Sequence, residues 1–270
     1  MVPIPRSSRS FFSLQADVLH VSNLSRAAFS SDRRSDTAAN LGIMAFDFNR
    51  AAFTDHPWSF YFSLDAHTQS WRQFTGLDNT NLQARLTIER KLGSATDAPS
   101  LNFQASGGVE WVRTTMLGGW RSQAGITLDQ PITPKIFGSR FLNFYRLDAR
   151  DEFFSDTGRE LGAGLMIISG PRSRFSLTGV QHWGDELTYA DVSRATTTPF
   201  STRPSRPVAL FDRPFDAYRA DVKERSIGLD FYSVLARGTT LYLGIHHGVT
   251  WWDGLHYPST SFAVGLVFDR

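Results

Sequence analysis

Residues 261–268, Ser-Phe-Ala-Val-Gly-Leu-Val-Phe, decide the fold. Apolar side chains recur at every second position of this stretch, at Phe262, Val264, Leu266 and Phe268. Successive side chains of a β-strand point to opposite faces of the sheet, so a period of two predicts a strand with one apolar face. Residues 241–246 show the same alternation. The end of the chain therefore predicts two strands in succession.

The same alternation recurs along the whole chain, with no clear helical stretch between. It predicts about twelve strands, near residues 11–22, 37–49, 59–72, 80–91, 100–113, 119–129, 140–153, 160–169, 174–184, 219–235, 239–252 and 260–269. Most are longer than the ~5–6 residues of globular strands. They match the ~9–11 residues of tilted membrane strands.

These strands predict an all-β fold: a single closed antiparallel up-and-down transmembrane β-barrel over residues 1–270. We expect a flexible N-terminal segment at 1–10. We also expect a long external loop at 186–217, because its prolines oppose strand pairing.

The composition narrows the class of protein. Hydrophobic residues make up 41% of the chain and charged residues 20%, which disfavours disorder. No apolar run reaches the ~20 residues of a membrane helix, which excludes an α-helical membrane protein. The sequence is compatible with a membrane barrel, because only every second residue of a barrel strand must be apolar. The absence of cysteine excludes disulfides and thiolate metal sites.

The two faces of the predicted strands differ in chemistry. The apolar face is expected to meet lipid and includes Phe60, Phe62, Leu64, Phe103, Ile126, Phe141, Tyr145, Leu147, Leu229 and Phe231. The opposite face is predicted to line a pore with Asp65, His67, Arg85, Glu89, Glu110, Arg121, Asp129, Arg146, Asp148, Arg150 and Asp230. Glycines are frequent on that polar face, which suits a narrow, crowded lumen. The charges have two compatible interpretations, a paired plug and a constriction that selects solutes.

Tryptophan gives a second indication of a membrane. In an antiparallel meander, the ends of odd strands and the starts of even strands share one rim. Six tryptophans fall on that rim and are predicted to lie at the membrane interface, as tryptophan commonly does: Trp71, Trp111, Trp120, Trp183, Trp251 and Trp252.

With these features the sequence resembles bacterial outer-membrane β-barrels as a class. The last strand is similar to their terminal insertion signal in having Gly265 followed by Phe268, but it ends in Asp269-Arg270. The resemblance implies a bacterial outer-membrane location, contact with outer-membrane lipid and lipopolysaccharide, and recognition by the barrel-insertion machinery. Residues 1–6 show no apolar signal region, which predicts a mature form or a fragment of a longer chain.

No catalytic residue is predicted. Ser63, Asp65 and His67 share one face of a strand, but positions two apart are ~6.6–7 Å apart, too far for a direct triad. His246 and His247 point to opposite faces, so we expect no metal site, and no motif indicates a cofactor. Nucleic-acid binding is disfavoured, because the net charge is only +2 and no basic run appears.

The sequence therefore predicts an outer-membrane barrel that forms a narrow pore or conduit for polar or anionic solutes. Arg121, Arg146 and Arg150 are expected to govern passage. One alternative is a C-terminal translocation barrel of a larger export protein, such as a protein that exports polysaccharide. Such a barrel would have a periplasmic or upstream export partner. An outer-membrane lipid-acting hydrolase and a soluble β-barrel or sandwich binding protein also stay open.

Overall fold

A computed structural model of the chain describes residues 11–47, 58–95, 97–194, 204–212 and 214–269. The predicted flexible segment at 1–10 lies outside these residues. The strands are β1 Phe11–Val21, β2 Asp36–Asp47, β3 Trp58–Trp71, β4 Asn79–Lys91, β5 Ser100–Val112, β6 Gly119–Thr133, β7 Ile136–Ala149, β8 Asp156–Gly170, β9 Ser173–Asp191, β10 Ser205–Val208, β11 Phe215–Ala236, β12 Thr239–Trp252 and β13 Leu255–Asp269. Short 3-10 helices span Ser30–Asp32, Thr75–Leu77, Thr115–Leu117, Glu152–Phe154 and Val192–Arg194.

The strands close into a barrel. Neighbours in the chain pair antiparallel, β1 pairs with β13, and β9 pairs with β11. Strand β10 is an additional short strand that pairs with the beginning of β11. Twelve strands therefore form the closed wall, which confirms the predicted all-β, up-and-down antiparallel barrel.

The two rims of the barrel differ in their connections. The turn rim carries tight turns at 134–135, 171–172 and 237–238. The loop rim carries most of the longer connections: 22–35, 72–78, 113–118, 150–155 and 192–214. The exceptions are 92–99 on the turn rim, 253–254 on the loop rim, and the ten-residue connection 48–57 of the turn rim, which lies outside the described residues. Bacterial barrels have short periplasmic turns and longer external loops, so the loop rim is the external side.

The wall is apolar outside and polar inside. Phe62 is 45% exposed on the outer face, whereas the next residue, Ser63, is buried on the inner face. Leu229 and Asp230 repeat this contrast on β11. A soluble barrel would show the reverse, so the outer face is built to meet lipid. Among the described residues, no helix is both long and apolar enough to cross a membrane.

Strand β7 faces the other way from the prediction. Directly opposite residues of an antiparallel pair lie on the same face. Trp120, on the outer face of β6, is opposite Asp148, and Ser122 is opposite Arg146. Arg146 and Asp148 therefore lie on the outer wall, contrary to their predicted place in the pore. Arg150 follows the end of β7 and is exposed in the loop-rim connection.

The inner face of β7 instead carries Phe141, Tyr145 and Leu147, which were expected to meet lipid. The outer apolar side chain at the centre of this strand is Phe144, which is 51% exposed. The pairing with β6 therefore sets which of the two apolar sets on β7 meets lipid.

Candidate functional site: an acidic lumen under a cap

Most of the predicted pore residues lie on the inner wall. Asp65, His67, Arg85, Glu89, Glu110, Arg121, Asp129 and Asp230 share the face opposite the exposed apolar residues. The same face also carries charged residues that the sequence analysis did not identify: Asp17, Asp156, Glu160, Arg174, Glu186 and Glu224. The alternation of β1, β8, β9 and β11 could have identified them, because each lies among the alternate positions of its strand that face the lumen.

The described lumen between the rims is acidic. Its carboxylates belong to Asp17, Asp65, Glu89, Glu110, Asp129, Asp156, Glu160, Glu224 and Asp230, and its cationic side chains to Arg85, Lys91, Arg121 and Arg174. The carboxylates outnumber these cations. The described inner wall therefore carries a net negative formal charge.

Charged side chains of the lumen bond to neighbours on adjacent strands. Both Nε and Nη2 of Arg121 donate to Glu110 Oε2, at 3.0 and 2.7 Å. Asn102 donates to Asp129 at 2.8 Å, and the Tyr61 hydroxyl donates to Glu89. These contacts run along the wall, which holds the side chains in fixed positions.

Two histidines belong to this network. His246 Nε2 lies 3.0 Å from Asp230 Oδ1, and the Tyr242 hydroxyl donates to the same oxygen at 3.0 Å. His182 Nε2 lies 3.0 Å from the Tyr145 hydroxyl, and the two rings stack with centroids 5.5 Å apart. Polar contacts therefore continue along β7, β9, β11 and β12.

Glycines on the inner face make room for these contacts. A Cβ at Gly125 would lie 2.1 Å from Asn143 Oδ1, which accepts a 3.1 Å bond from Gln104 across the glycine. A Cβ at Gly228 would lie 2.5 Å from His246 Nδ1. The small residues on the polar face thus let neighbouring side chains lie flat against the wall.

The external mouth is covered by an extension of two wall strands. Strand β8 pairs with β9 only as far as Gly184, and β12 pairs with β11 only from Lys223. Beyond these points β9 and β11 pair with each other, and β10 joins the free edge of β11. We call residues 184–194, 204–212 and 214–222 the cap.

Gly184 marks the departure of the cap from the wall. Its φ is +156°, and a Cβ there would lie 2.3 Å from the carbonyl oxygen of Thr157. The segment expected as a loop at 186–217 therefore includes strand residues at 186–191, 205–208 and 215–217. Those residues form strands because β9 and β11 continue to pair with each other after they leave the wall.

A hydrophobic core fixes the cap over the mouth. Phe215 and Ala217 of β11, Tyr189 of β9 and Leu210 are buried together with Phe154 of the β7–β8 connection. Leu77 and Leu117, from two further loop-rim connections, pack against this cluster. On the other side Tyr218, Ala220 and Val222 pack with Trp252, Phe29 and Leu255. Connections from around the whole loop rim thus meet at the cap.

Polar contacts attach the cap to the β1–β2 connection. Arg26 Nη1 lies 2.7 Å from Glu186 Oε1, and the Tyr257 hydroxyl donates to Glu186 Oε2 at 3.0 Å. Thr188 donates to the Arg26 carbonyl at 2.6 Å. The Glu186 carboxylate raises the pKa of the Arg26 guanidinium, so Arg26 stays charged at physiological pH. At the opposite edge of the cap, Arg34 and Asp212 form an ion pair at 2.6 Å.

The tryptophans divide into two groups. Trp111, Trp120, Trp183 and Trp251 lie on the outer face near the loop rim. Trp71 and Trp252 are only 6% and 2% exposed, which corrects their predicted place at the membrane interface. Both lie at the inner parity of their strands, where Trp252 packs beneath the cap.

The described residues bring together no complete catalytic group of the serine-hydrolase kind. Ser63 donates to Asp65 at 3.3 Å, as in a lumen hydrogen-bond ladder. His246 points into the lumen and His247 points outwards, where its Nδ1 lies 2.8 Å from the Thr260 hydroxyl. The residues opposite His247 are Ile227 and Thr260, neither of which supplies a carboxylate to orient the ring.

Comparison with solved structures agrees with this architecture. An outer-membrane channel of Pseudomonas putida F1 matches with a TM-score of 0.62 at 7% identity, covering 99% of this chain and 97% of that one. The NanC porin matches with a TM-score of 0.52 at 10% identity, covering 94% of this chain and 98% of that one. No protein-family model matches the chain, and no curated protein matches it significantly. The fold is that of bacterial outer-membrane β-barrels, which confirms the predicted class and localisation.

Proposed function

We propose that this barrel is a gated outer-membrane conduit for small polar solutes, with a preference for cations. The preference is supported by the excess of carboxylates on the inner wall. Carboxylates facing a narrow lumen with low-dielectric walls attract cations and repel anions. Arg121 and Glu110 neutralise each other as an ion pair, and the other carboxylates of the inner wall still outnumber its other cations. The solved outer-membrane channel and porin of similar fold support the conduit part of this proposal.

The anion preference expected from the sequence depended on Arg121, Arg146 and Arg150. Arg146 lies on the outer wall and bonds to Asp148 at 2.6 Å, and Arg150 lies in a loop-rim connection. Neither can set the field inside the lumen at close range. The revised proposal therefore keeps the polar conduit and reverses its charge preference.

The observation that carries the gate is the contact between the cap and the far side of the mouth. Leu210 of the cap is buried, and its Cδ2 would lie 3.1 Å from a Cβ placed on Gly76 of the β3–β4 connection. The cap packs across the mouth between these contacts, so we infer that a solute entering there displaces it. Movement of the cap would therefore control passage.

A reversible crosslink tests the gate. A Cβ at position 76 would lie 3.8 Å from the Leu210 Cα, so the pair Gly76→Cys and Leu210→Cys suits a disulfide. The natural chain has no cysteine, so the engineered pair is unambiguous. In planar bilayers we expect channel openings from the reduced protein, loss of at least nine-tenths of them after oxidation, and recovery with reductant.

The single variants Gly76→Cys and Leu210→Cys are the matched controls. Oxidation should not change their channel openings. Equal conductance of the oxidised and reduced double variant would show that the cap is not a gate. If neither form conducts, the charged rows act as a plug and the conduit proposal fails.

A further inference from the structure

We infer that the outer wall at the loop rim carries a binding site for the phosphorylated headgroup of lipopolysaccharide. The register places Arg159 of β8 opposite Trp183 of β9, Trp183 opposite Lys223 of β11, and Lys223 opposite Trp251 of β12. All four side chains share the outer face. With strands ~4.8 Å apart, the row of alternating cations and indoles is ~14 Å wide.

A third cation lies just below this row. Arg225 is two residues beyond Lys223 on β11, and its Nε donates to Gln181 Oε1 at 2.9 Å. Its guanidinium carbon lies 5.8 Å from the Trp251 ring, and that of Arg159 lies 5.6 Å from the Trp183 ring. Stacking on indoles orients a guanidinium while its charge stays available. The cluster thus presents oriented donors of the kind that bind phosphate.

The charge of this cluster is not neutralised from within, unlike that of three other arginines near the loop rim. Arg146 pairs with Asp148, Arg113 pairs with Asp78, and Arg219 pairs with Asp185. In the described part of the chain, Arg159, Lys223 and Arg225 form no ion pair with a carboxylate. Asp221 and Asp253 border the cavity beside Lys223, but the three cations still outnumber them. An anion from outside the protein would complete the cluster.

The surface below the cations fits an acyl chain. Two rows below the indoles, the outer positions from β7 to β12 are Arg140, Ala163, Gly179, Ile227 and His247. A Cβ at Gly179 would meet nothing within 4 Å, whereas the exposed side chains of Leu161 and Leu177 stand on either side. A shallow recess with an apolar floor therefore lies two rows below the row of cations and indoles, between Arg140 and His247. At the cationic row itself, a cavity of about 290 Å³ lies between Trp183 and Trp251.

The position of the site identifies the lipid. The row lies at the external loop rim, so it meets the outer leaflet, where lipopolysaccharide supplies phosphates on an acylated sugar. A phospholipid headgroup of the inner leaflet would lie at the turn rim. The site therefore combines the charge, the recess and the leaflet that this glycolipid requires.

Binding of defined lipids to the delipidated full-length protein tests the inference. The probes are a short-chain lipopolysaccharide, its enzymatically dephosphorylated form, and phosphatidylglycerol, each titrated in the same detergent. The variant combines Arg159→Gln, Lys223→Gln and Arg225→Gln. The matched control is Arg146→Gln, which removes an arginine from the same rim where Asp148 already neutralises it.

We expect the triple variant to bind lipopolysaccharide about tenfold or more weakly, and Arg146→Gln to bind within about twofold of the natural chain. The dephosphorylated lipid should bind the natural chain as weakly as lipopolysaccharide binds the triple variant. Equal binding by the triple variant, an equal loss in Arg146→Gln, or equally tight binding of phosphatidylglycerol would each overturn the inference. Heat-modifiable migration on gels confirms that every variant retains its barrel.

A second variant tests the recess separately. Gly179→Leu fills it and leaves all three cations in place. We expect weaker lipopolysaccharide binding, and unchanged affinity would overturn the assignment of an acyl chain to this surface.

Discussion

Strand β11 passes through two different environments. In the wall, from Lys223 onwards, exposed Ile227 and Leu229 alternate with buried Gly228 and Asp230. In the cap, Phe215, Ala217, Tyr218, Ala220 and Val222 are all buried. A strand between lipid and a polar lumen must alternate along its whole length. In the cap the buried residues fall on both faces of β11, Phe215 and Ala217 on one and Tyr218, Ala220 and Val222 on the other. The cap is therefore packed like a soluble core, although its strands are those of the membrane wall.

The largest expected effect separates two phenylalanines of this same strand. Phe215 is fully buried in the cap, whereas Phe231 lies on the outer wall beside Phe175. Phe215→Ala leaves a cavity and should weaken closure of the cap by about 3–5 kcal/mol. Phe231→Ala should cost less, because lipid chains fill the space. Protease added to intact cells should cut Phe215→Ala within 192–214 far faster than the natural chain.

Phe231→Ala serves as the control and should be cut at the natural rate. Equal cleavage of both variants would mean that the cap core does not hold the mouth closed, and the contrast between wall and cap would fail.

The second effect locates where the membrane band ends along β11. Leu229→Lys places a charge on the lipid face and should destabilise the barrel by about 2–4 kcal/mol. Asp221→Lys changes an exposed residue above the band and should cost less than about 1 kcal/mol. Unfolding by guanidinium in lipid vesicles measures both. Similar losses in the two variants would place the cap within the bilayer.

The smallest effect sharpens the distinction between inner and outer arginines. Arg121→Gln removes a lumen cation and leaves the charge of Glu110 uncompensated, so cation selectivity should rise about two- to threefold. Arg146→Gln removes a cation from the outer wall and should leave selectivity unchanged. The ion selectivity of both variants is measured from reversal potentials in a potassium chloride gradient. Both also carry Phe215→Ala, which opens the cap. A shift in Arg146→Gln alone would reverse the assignment of faces on β7.

The sequence was sufficient for the barrel and for most of its inner wall, because alternation determines the face of each strand. It failed on β7, where residues 141–148 carry apolar side chains at both parities: Phe141, Leu142, Phe144, Tyr145 and Leu147. On such a strand the local pattern is ambiguous. The register with β6, which places Phe144 opposite Ala124, decides the face.

The cap could be predicted only in part. The prolines of 186–217 indicated a segment outside the wall, but the contacts of Glu186 with Arg26 and Tyr257 join residues distant in sequence. One tryptophan error was avoidable. Trp251 and Trp252 are consecutive on one strand, so only one of them can face the membrane.

The surface on which the cap rests has a consequence for the order of assembly. Arg26 and Phe29 follow β1, whereas Trp252, Leu255 and Tyr257 lie where β12 and β13 meet, so the cap spans the junction of the first and last strands. The surface on which the cap packs is thus formed by both ends of the chain, and it is complete only after β1 and β13 have paired. We expect cap docking to be the final folding event, and a protease-resistant cap to report that a newly inserted barrel has closed.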